Sequence, residues 1–127
     1  MRESLHKTLI IRFSSIGDIV LSSLLVRTLR DRFPEAEIDY LVKSEYADLV
    51  RHNPHLSRVL QFSPADVLSE QRQRIRRAGY DLIIDIHNSL RSRYLCMGHA
   101  NVVRVNKRKL ARFLLVRTKL NFYDSLG

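Results

Sequence analysis

Short apolar runs alternate with longer segments of helical periodicity along this chain. The runs are rich in Ile, Val, Leu and Tyr, a composition typical of buried parallel strands. The pattern therefore predicts five strands, at residues 8–13, 38–42, 58–62, 81–86 and 101–105.

Between and after these runs the apolar residues recur every three or four positions, which predicts helices. The helical segments are 18–33, 45–52, 65–78, 89–97 and 107–119. Pro34, Pro54 and Gly79 mark ends of the first three. Alternating strands and helices form right-handed βαβ units. The predicted fold class is α/β: a Rossmann-like, open and mainly parallel sheet of about five strands with helices on both faces.

Length and cysteine content limit the remaining possibilities. With 127 residues, 45% of them hydrophobic, the chain suffices for a single domain with its own core. The single cysteine, Cys96, has no partner for an internal disulfide and lies on an apolar helical pattern, so we expect it in the core. No apolar run approaches the roughly 20 residues of a membrane span, and residues 1–7 lack a signal-peptide core. We therefore expect a soluble, cytoplasmic protein.

The net charge of +9 is distributed unevenly. Residues 86–123 contain nine Lys or Arg and no acidic residue, whereas residues 1–85 contain 13 basic and 12 acidic residues. Such a block usually indicates an anionic partner: a phosphorylated glycolipid, a membrane surface or nucleic acid. The alternative is a solvated basic helix without a partner.

Small residues and one carboxylate follow the first predicted strand directly. Ser14, Ser15 and Gly17 lead to Asp18 where the strand ends and a helix begins. Open parallel sheets bind ligands at the carboxyl edge of their strands, and helix N-termini attract anions. Asp18 is therefore a candidate catalytic carboxylate. The segment matches neither the dinucleotide fingerprint nor the P-loop, so neither of those nucleotide-binding classes is indicated.

A capping role for Asp18 fits the same residues. Residues 15–18 have the spacing of a capping box, with Ser15 as the N-cap and Asp18 reaching back to its backbone N–H. The pattern alone favours this interpretation. A carboxylate at a helix start is also stabilised in its charged form, so a base at this position would require partial desolvation in a cleft.

A second polar segment follows the fourth predicted strand and should reach the same edge of the sheet. Its residues are Asp85, His87, Asn88, Ser89, Arg91 and Arg93. His87 and the two arginines can hold phosphate or carboxylate groups. In the alternative interpretation, Asp85 or Ser89 caps the next helix and the arginines are merely solvated.

The segment 107–119 reads as an amphipathic basic helix that begins with Lys107, Arg108 and Lys109. Apolar and cationic faces together fit anionic lipid headgroups. Such a helix more often covers a sheet. The five histidines have no metal-ligand spacing, so no metal site is expected.

Three segments together resemble the heptosyltransferases, glycosyltransferase family 9. They are TLIIRFSSIGDIV (8–20), SSLLVRTLRDRFPEAEIDYLV (22–42) and YDLIIDIHNSLRSR (80–93). The resemblance extends from about residue 7 to residue 105 and corresponds to the N-terminal half of that family. Its most specific part is Ser-Ser-x-Gly-Asp after the first strand, combined with Phe-Pro-x-Ala-x-Ile after the first helix.

This resemblance implies half of a GT-B fold. Residues 1–127 would be the acceptor-side, N-terminal domain, and the C-terminal donor-binding domain is absent from this chain. The family transfers heptose, with inversion, from a nucleotide-heptose donor, here ADP-heptose, to a lipopolysaccharide core acceptor, and it uses no other cofactor. Asp18 corresponds to the general base of the family, and Asp85 is the alternative base if Asp18 only caps the helix. The 127-residue chain by itself is expected to be inactive.

The polar and basic segments described above supply the candidate residues that meet these substrates. The cleft or acceptor-binding candidates are Ser14, Ser15, Gly17, His87, Asn88 and Arg91, and the candidate contacts to anionic partners are Lys107, Arg108 and Lys109. The implied partners are lipopolysaccharide core and lipid A, with peripheral contact to the inner membrane and self-association of the isolated domain; nucleic acid is not expected. The competing hypothesis is a non-catalytic basic α/β module that binds nucleic acid or an anionic membrane through residues 91–119.

Overall fold

The computed structural model describes residues 5–106 together with Arg108, Lys109 and Arg112. Its elements, in chain order, are β1 (Lys7–Ile11), α1 (Ile16–Arg32), β2 (Glu37–Lys43), a 3₁₀ helix (Ser44–Leu49), β3 (Arg58–Phe62), α2 (Leu68–Ala78), β4 (Leu82–Asp85), α3 (Leu90–Cys96) and β5 (Val102–Arg104). All five predicted strands are present. The predicted helix 107–119 lies almost wholly outside the described residues, as does Lys107.

The sheet is entirely parallel, with the strand order β3-β2-β1-β4-β5. This confirms the predicted fold class. Strand β2 is added beside β1, and β3 is added beside β2. The chain then returns through α2, and β4 pairs with the other side of β1. The direction of building therefore reverses between β1 and β4. In open α/β sheets the crevice at such a reversal is the usual ligand site.

Both faces of the sheet are covered, because successive residues of each strand point to opposite faces. On one face, Ile10 and Tyr40 belong to a core that includes Ile19 and Val26 of α1. On the other face, Leu9, Leu41 and Ile83 pack with Ile75 of α2 and Leu95 of α3. The predicted placement of helices on both faces is thus confirmed.

The second connection differs from its predicted form. The predicted helix 45–52 is a 3₁₀ helix of six residues that ends at Leu49. It joins the neighbouring strands β2 and β3, and Ala47 is the residue that it buries in the core. The 3₁₀ helix fills only the first part of the connection, which runs from residue 44 to residue 57 before β3 begins. Such helices are usually short pieces of this kind.

The predicted core position of Cys96 is confirmed. Cys96 is 2% exposed and packs with Leu95 against the second face of the sheet. Burial raises the pKa of the Cys96 thiol to about 11, which keeps it protonated and unreactive at neutral pH.

Candidate active site

Two polar segments leave the sheet side by side at the reversal between β1 and β4. The backbone N–H groups of Ile86 and His87 both donate to the carbonyl oxygen of Ile11, at 3.2 and 3.1 Å. These bonds place the start of the segment after β4 against the last residue of β1. The sequence prediction that both segments reach one edge is therefore met in the structure.

Asp18 lies in the first turn of α1, where its side chain is 14% exposed. Its Oδ2 accepts a hydrogen bond from Nη2 of Arg12 at 2.6 Å and another from the hydroxyl of Ser15 at 3.2 Å. The carboxylate is therefore partly desolvated and held in place by a cation. Partial desolvation is the condition that a base at a helix start requires.

Arg12 is the site residue that sequence reasoning missed. Its Nη1 donates to the carbonyl oxygen of Ile86 at 2.7 Å, while Nη2 binds Asp18. One guanidinium thus joins the start of α1 to the end of β4. The available signal was a single charged residue inside the apolar run 8–13, since a buried cation requires a partner.

The predicted capping box at α1 is not formed by Ser15. Ser15 is the N-cap residue, but its side chain makes no capping hydrogen bond to the backbone. Its hydroxyl donates to Asp18 instead. An ionised acceptor makes the stronger hydrogen bond, which favours this alternative partner.

The N-terminus of α1 is open to a ligand. Ser14 is half-buried, and Ser15 and Gly17 are exposed. Apart from the neighbouring residues and the backbone of α1 itself, no atom lies within 4 Å of the place that a Cβ at Gly17 would occupy. A ligand can therefore approach the first turn of α1 closely at this position.

His87 borders the same region from the β4 side. Its ring is half-buried and lies 4.6 Å, centroid to centroid, from the ring of Phe13. Burial lowers the pKa of His87, and the charge of Arg12 lowers it further, against weaker opposite effects of Asp85 and Asp18. His87 is therefore neutral at neutral pH and adds no positive charge for a phosphate group. Its Nδ1 is buried without a hydrogen-bond partner among the described residues.

Near this edge of the sheet, the guanidinium of Arg91 packs on a pair of stacked aromatic rings. Its guanidinium carbon lies 4.8 Å from the centroid of the Phe62 ring, and Phe62 stacks on Phe13 at 5.0 Å. Arg91 itself is exposed. The stacked arginine keeps its charge and its fork of donors available for an anionic group.

Asn88 adopts a left-handed backbone conformation, with φ of 57°. Its Oδ1 accepts hydrogen bonds from Nε and Nη2 of Arg93, at 3.3 and 3.1 Å. Asn tolerates this conformation better than most residues. The side chains of Asn88 and Arg93 are therefore hydrogen-bonded to each other at the turn that precedes α3.

Solved structures that are similar to this chain in fold include glycosyltransferases. The chain matches a glycosyl transferase of family 9 from Veillonella parvula with a TM-score of 0.71 at 17% identity, and E. coli ADP-heptose lps heptosyltransferase II with a TM-score of 0.63 at 26% identity. It matches E. coli heptosyltransferase WaaC with ADP with a TM-score of 0.56 at 24% identity.

The resemblance to the heptosyltransferase family is confirmed. The three matches cover 84%, 84% and 79% of this chain but 33%, 32% and 35% of the matched chains. The chain therefore spans about one third of the length of the solved structures that it matches. No family model and no curated protein matches its sequence.

Asp85 has a structural role in the heptosyltransferase-like domain. Its carboxylate is fully buried and accepts hydrogen bonds from the backbone N–H groups of His87 and Asn88 and from the hydroxyl of Ser92. Ser89 caps α3 and forms a capping box with Ser92. The capping interpretation of this segment is therefore confirmed for Ser89.

Two of the three basic candidates beyond β5 lie within the described residues. Arg108 and Lys109 are exposed, and Lys109 borders an apolar groove with Leu25 of α1, Ile84 of β4 and Val103 of β5.

The helices in the described part of the chain are too short or too polar to cross a membrane. Within that part, no group of three or more His, Cys, Asp or Glu side chains is placed to hold a metal ion.

Proposed function

We propose that this chain is the acceptor-side, N-terminal domain of an inverting glycosyltransferase in which Asp18 is the general base. The observation that carries the proposal is a largely buried, positioned carboxylate at the reversal between β1 and β4. The heptosyltransferase-like fold supports it. A ligand that enters the crevice at this reversal meets Asp18 at the start of α1 and Arg91 beside the end of β4.

The proposed reaction is a single displacement at the anomeric carbon of the donor sugar. Asp18 takes the proton of the acceptor hydroxyl while that oxygen attacks the anomeric carbon. The bond from this carbon to the nucleotide diphosphate breaks, and its electron pair leaves with the diphosphate. The backbone N–H groups at the open start of α1 are positioned to stabilise negative charge near the reacting atoms.

The burial of Asp85 argues against it as the base. Its side chain has no exposed surface, and its oxygens are occupied by backbone and hydroxyl donors. A general base must reach the proton that it removes within hydrogen-bond distance. Asp18 retains exposed surface, which supports its assignment.

We infer that the donor is ADP-heptose and that the acceptor is a lipopolysaccharide core. Two of the similar structures are heptosyltransferases with ADP and with ADP-2-deoxy-2-fluoro heptose, and another is named for ADP-heptose and lps. The donor would be held mainly by a second domain, since this chain spans one third of those proteins. In the acceptor, phosphate or carboxylate groups would meet Arg91. This reaction would place the protein in the cytoplasm, at the inner membrane surface.

The test is Asp18→Asn in the full-length natural protein that contains this sequence. The amide cannot accept the proton, so we expect transfer to fall by about 10²–10⁴-fold. The measurement is the steady-state rate of ADP release with ADP-heptose and a lipopolysaccharide-core acceptor. Asp31→Asn is the matched control, because Asp31 is an exposed carboxylate on the same helix. Full activity of Asp18→Asn would show that another residue is the base.

A specific observation also supports the non-catalytic hypothesis. Helix α2 packs beside α3, and the two helices carry exposed arginines. These residues are Arg74, Arg76, Arg77, Arg91 and Arg93. A basic module acting through this surface would bind an anionic polymer or membrane equally well with Asp18→Asn, whereas a transferase would lose its activity.

A further inference from the structure

The guanidinium of Arg12 spans the reversal between β1 and β4. Nη2 is 2.6 Å from Oδ2 of Asp18, and Nη1 is 2.7 Å from the carbonyl oxygen of Ile86. The Arg12 side chain is 12% exposed, so water reaches this pair only in part. Solvent and salt screen such a pair less than a surface ion pair, and its geometry is correspondingly better defined.

We propose that Arg12 is a positioning residue that keeps Asp18 ionised and fixes the direction of its carboxylate in the cleft. This inference rests on the proposed function, in which Asp18 is the base. A base acts only in its ionised form, and misplacement by about 1 Å can lower a rate by as much as 100-fold. Arg12 meets both requirements through one contact to Asp18.

The second contact of Arg12, to the carbonyl oxygen of Ile86, holds its guanidinium in place when the Asp18 carboxylate moves. Because Nη1 is bound to the main chain at the end of β4, the position of Nη2 is set by the sheet and not by a mobile side chain. Ser15 adds a hydroxyl donor to the same oxygen, Oδ2 of Asp18. The orientation of Asp18 is thus determined by β1, β4 and the start of α1 together.

Arg12 exchanges no atoms in the proposed step. Its guanidinium remains protonated, since it does not lose a proton at physiological pH. When Asp18 takes the proton of the acceptor hydroxyl, the negative charge passes through the attacking oxygen to the leaving diphosphate. Arg12 therefore acts through Asp18 before the transfer, and its contribution depends on its charge as well as on its shape.

The experiment compares Arg12→Met with Arg12→Lys in the full-length protein. Methionine keeps much of the apolar stem without the charge, whereas lysine keeps the charge but cannot form the two-pronged contact. In the pH profile of kcat/KM, activity falls on the acidic side as the base is protonated. We expect Arg12→Met to move this acidic limb to higher pH by about 1 unit or more, because loss of the neighbouring cation favours protonated Asp18. We also expect its kcat to fall by about 10- to 100-fold, with little change in the KM of the donor.

Arg12→Lys should retain the acidic limb of the wild-type protein and lose only part of its kcat. A carboxyl ¹³C NMR titration, with the Asp18 signal assigned through Asp18→Asn, should show the same upward movement for Arg12→Met. A folded Arg12→Met protein with an unchanged acidic limb and unchanged kcat would overturn the proposal. If Arg12→Met does not fold, wild-type kcat in Arg12→Lys would overturn it.

The proposed function and the role of Arg12 fail in different ways. If Asp18→Asn keeps full activity, Asp18 is not the base and the proposed function is wrong. If Asp18→Asn loses activity but Arg12→Met retains wild-type kinetics and titration, the base assignment stands and only the positioning role of Arg12 is wrong.

Discussion

Two aspartates follow neighbouring strands, and their surroundings assign them different roles. Asp85 is fully buried; its Oδ1 accepts from the backbone of its own loop, and its Oδ2 accepts from the hydroxyl of Ser92. Asp18 keeps part of its carboxylate at the surface and is paired with Arg12. Burial and partners distinguish the two roles, although both residues have the same chemistry and a similar place in the strand-to-helix pattern.

His87 should make the stability of the domain depend on pH. Because burial lowers its pKa in the folded state, the unfolded chain binds the proton more readily. The contribution of His87 is therefore fully present above the unfolded pKa of 6.5 and is lost as the pH falls below it. We expect His87→Gln to reduce this loss, as measured by urea unfolding between about pH 5 and pH 8.

His52→Gln is the control for this prediction, because His52 is exposed. It should retain the pH dependence of the wild-type protein. An identical dependence in His87→Gln would contradict the assignment of this effect to His87.

At the level of elements, α3 is tied to the sheet through its first turn. Ser89 and Ser92 form the capping box, and the hydroxyl of Ser92 also donates to the buried Oδ2 of Asp85 at 2.9 Å. The start of a helix of seven residues is thus fixed to the end of β4. This connection places Arg91 at the carboxyl edge, since Arg91 lies in that first turn.

Loss of the α3 cap should destabilise the domain. Ser89→Ala removes the acceptor of the Ser92 backbone N–H, and we expect a loss of about 1 kcal/mol. Ser92→Ala should cost more, since a buried carboxylate oxygen also loses its hydroxyl donor. Urea unfolding at neutral pH measures both changes.

Ser69→Ala serves as the comparison for the two α3 variants, because Ser69 is exposed on α2. It should change the unfolding free energy by less than about 0.5 kcal/mol. Equal effects of Ser89→Ala and Ser69→Ala would show that the capping box contributes no measurable stability.

At the level of the whole molecule, folding brings together two helices that carry basic residues and are separate in the sequence. In the sequence, the excess of positive charge lies in residues 86–123. In the structure, α2 packs against α3, and both helices carry exposed arginines. The exposed basic surface therefore begins at α2. An interface of this kind attracts anionic surfaces over a distance set by the ionic strength.

We expect the full-length protein to bind vesicles that contain anionic phospholipid and to dissociate from them as salt rises from about 50 to 300 mM. The double variant Arg74→Gln with Arg77→Gln should weaken binding, whereas Arg27→Gln, at an exposed position of α1, should do so less. Vesicle co-sedimentation measures this. Binding that is insensitive to salt would contradict it, and tighter binding to DNA than to vesicles would favour the nucleic-acid hypothesis.

Local patterns in the sequence were sufficient to predict the elements and the class of the fold. The five strands, the helices around them and the core position of Cys96 follow from apolar periodicity, which is a property of neighbouring residues. The place of Asp18 at a strand-to-helix junction follows in the same way. The type and extent of the 3₁₀ helix did not, because they depend on how Ala47 packs in the core of the folded domain.

The partners of the site residues were decided by the tertiary structure. Arg12 and Ile86 are 74 positions apart and meet only because the chain crosses the sheet and adds β4 beside β1. The same crossing buries Asp85 and leaves Asp18 accessible. Strand order is determined by packing over the whole sheet, so a sequence pattern can locate a carboxylate at the edge but cannot identify the cation that holds it.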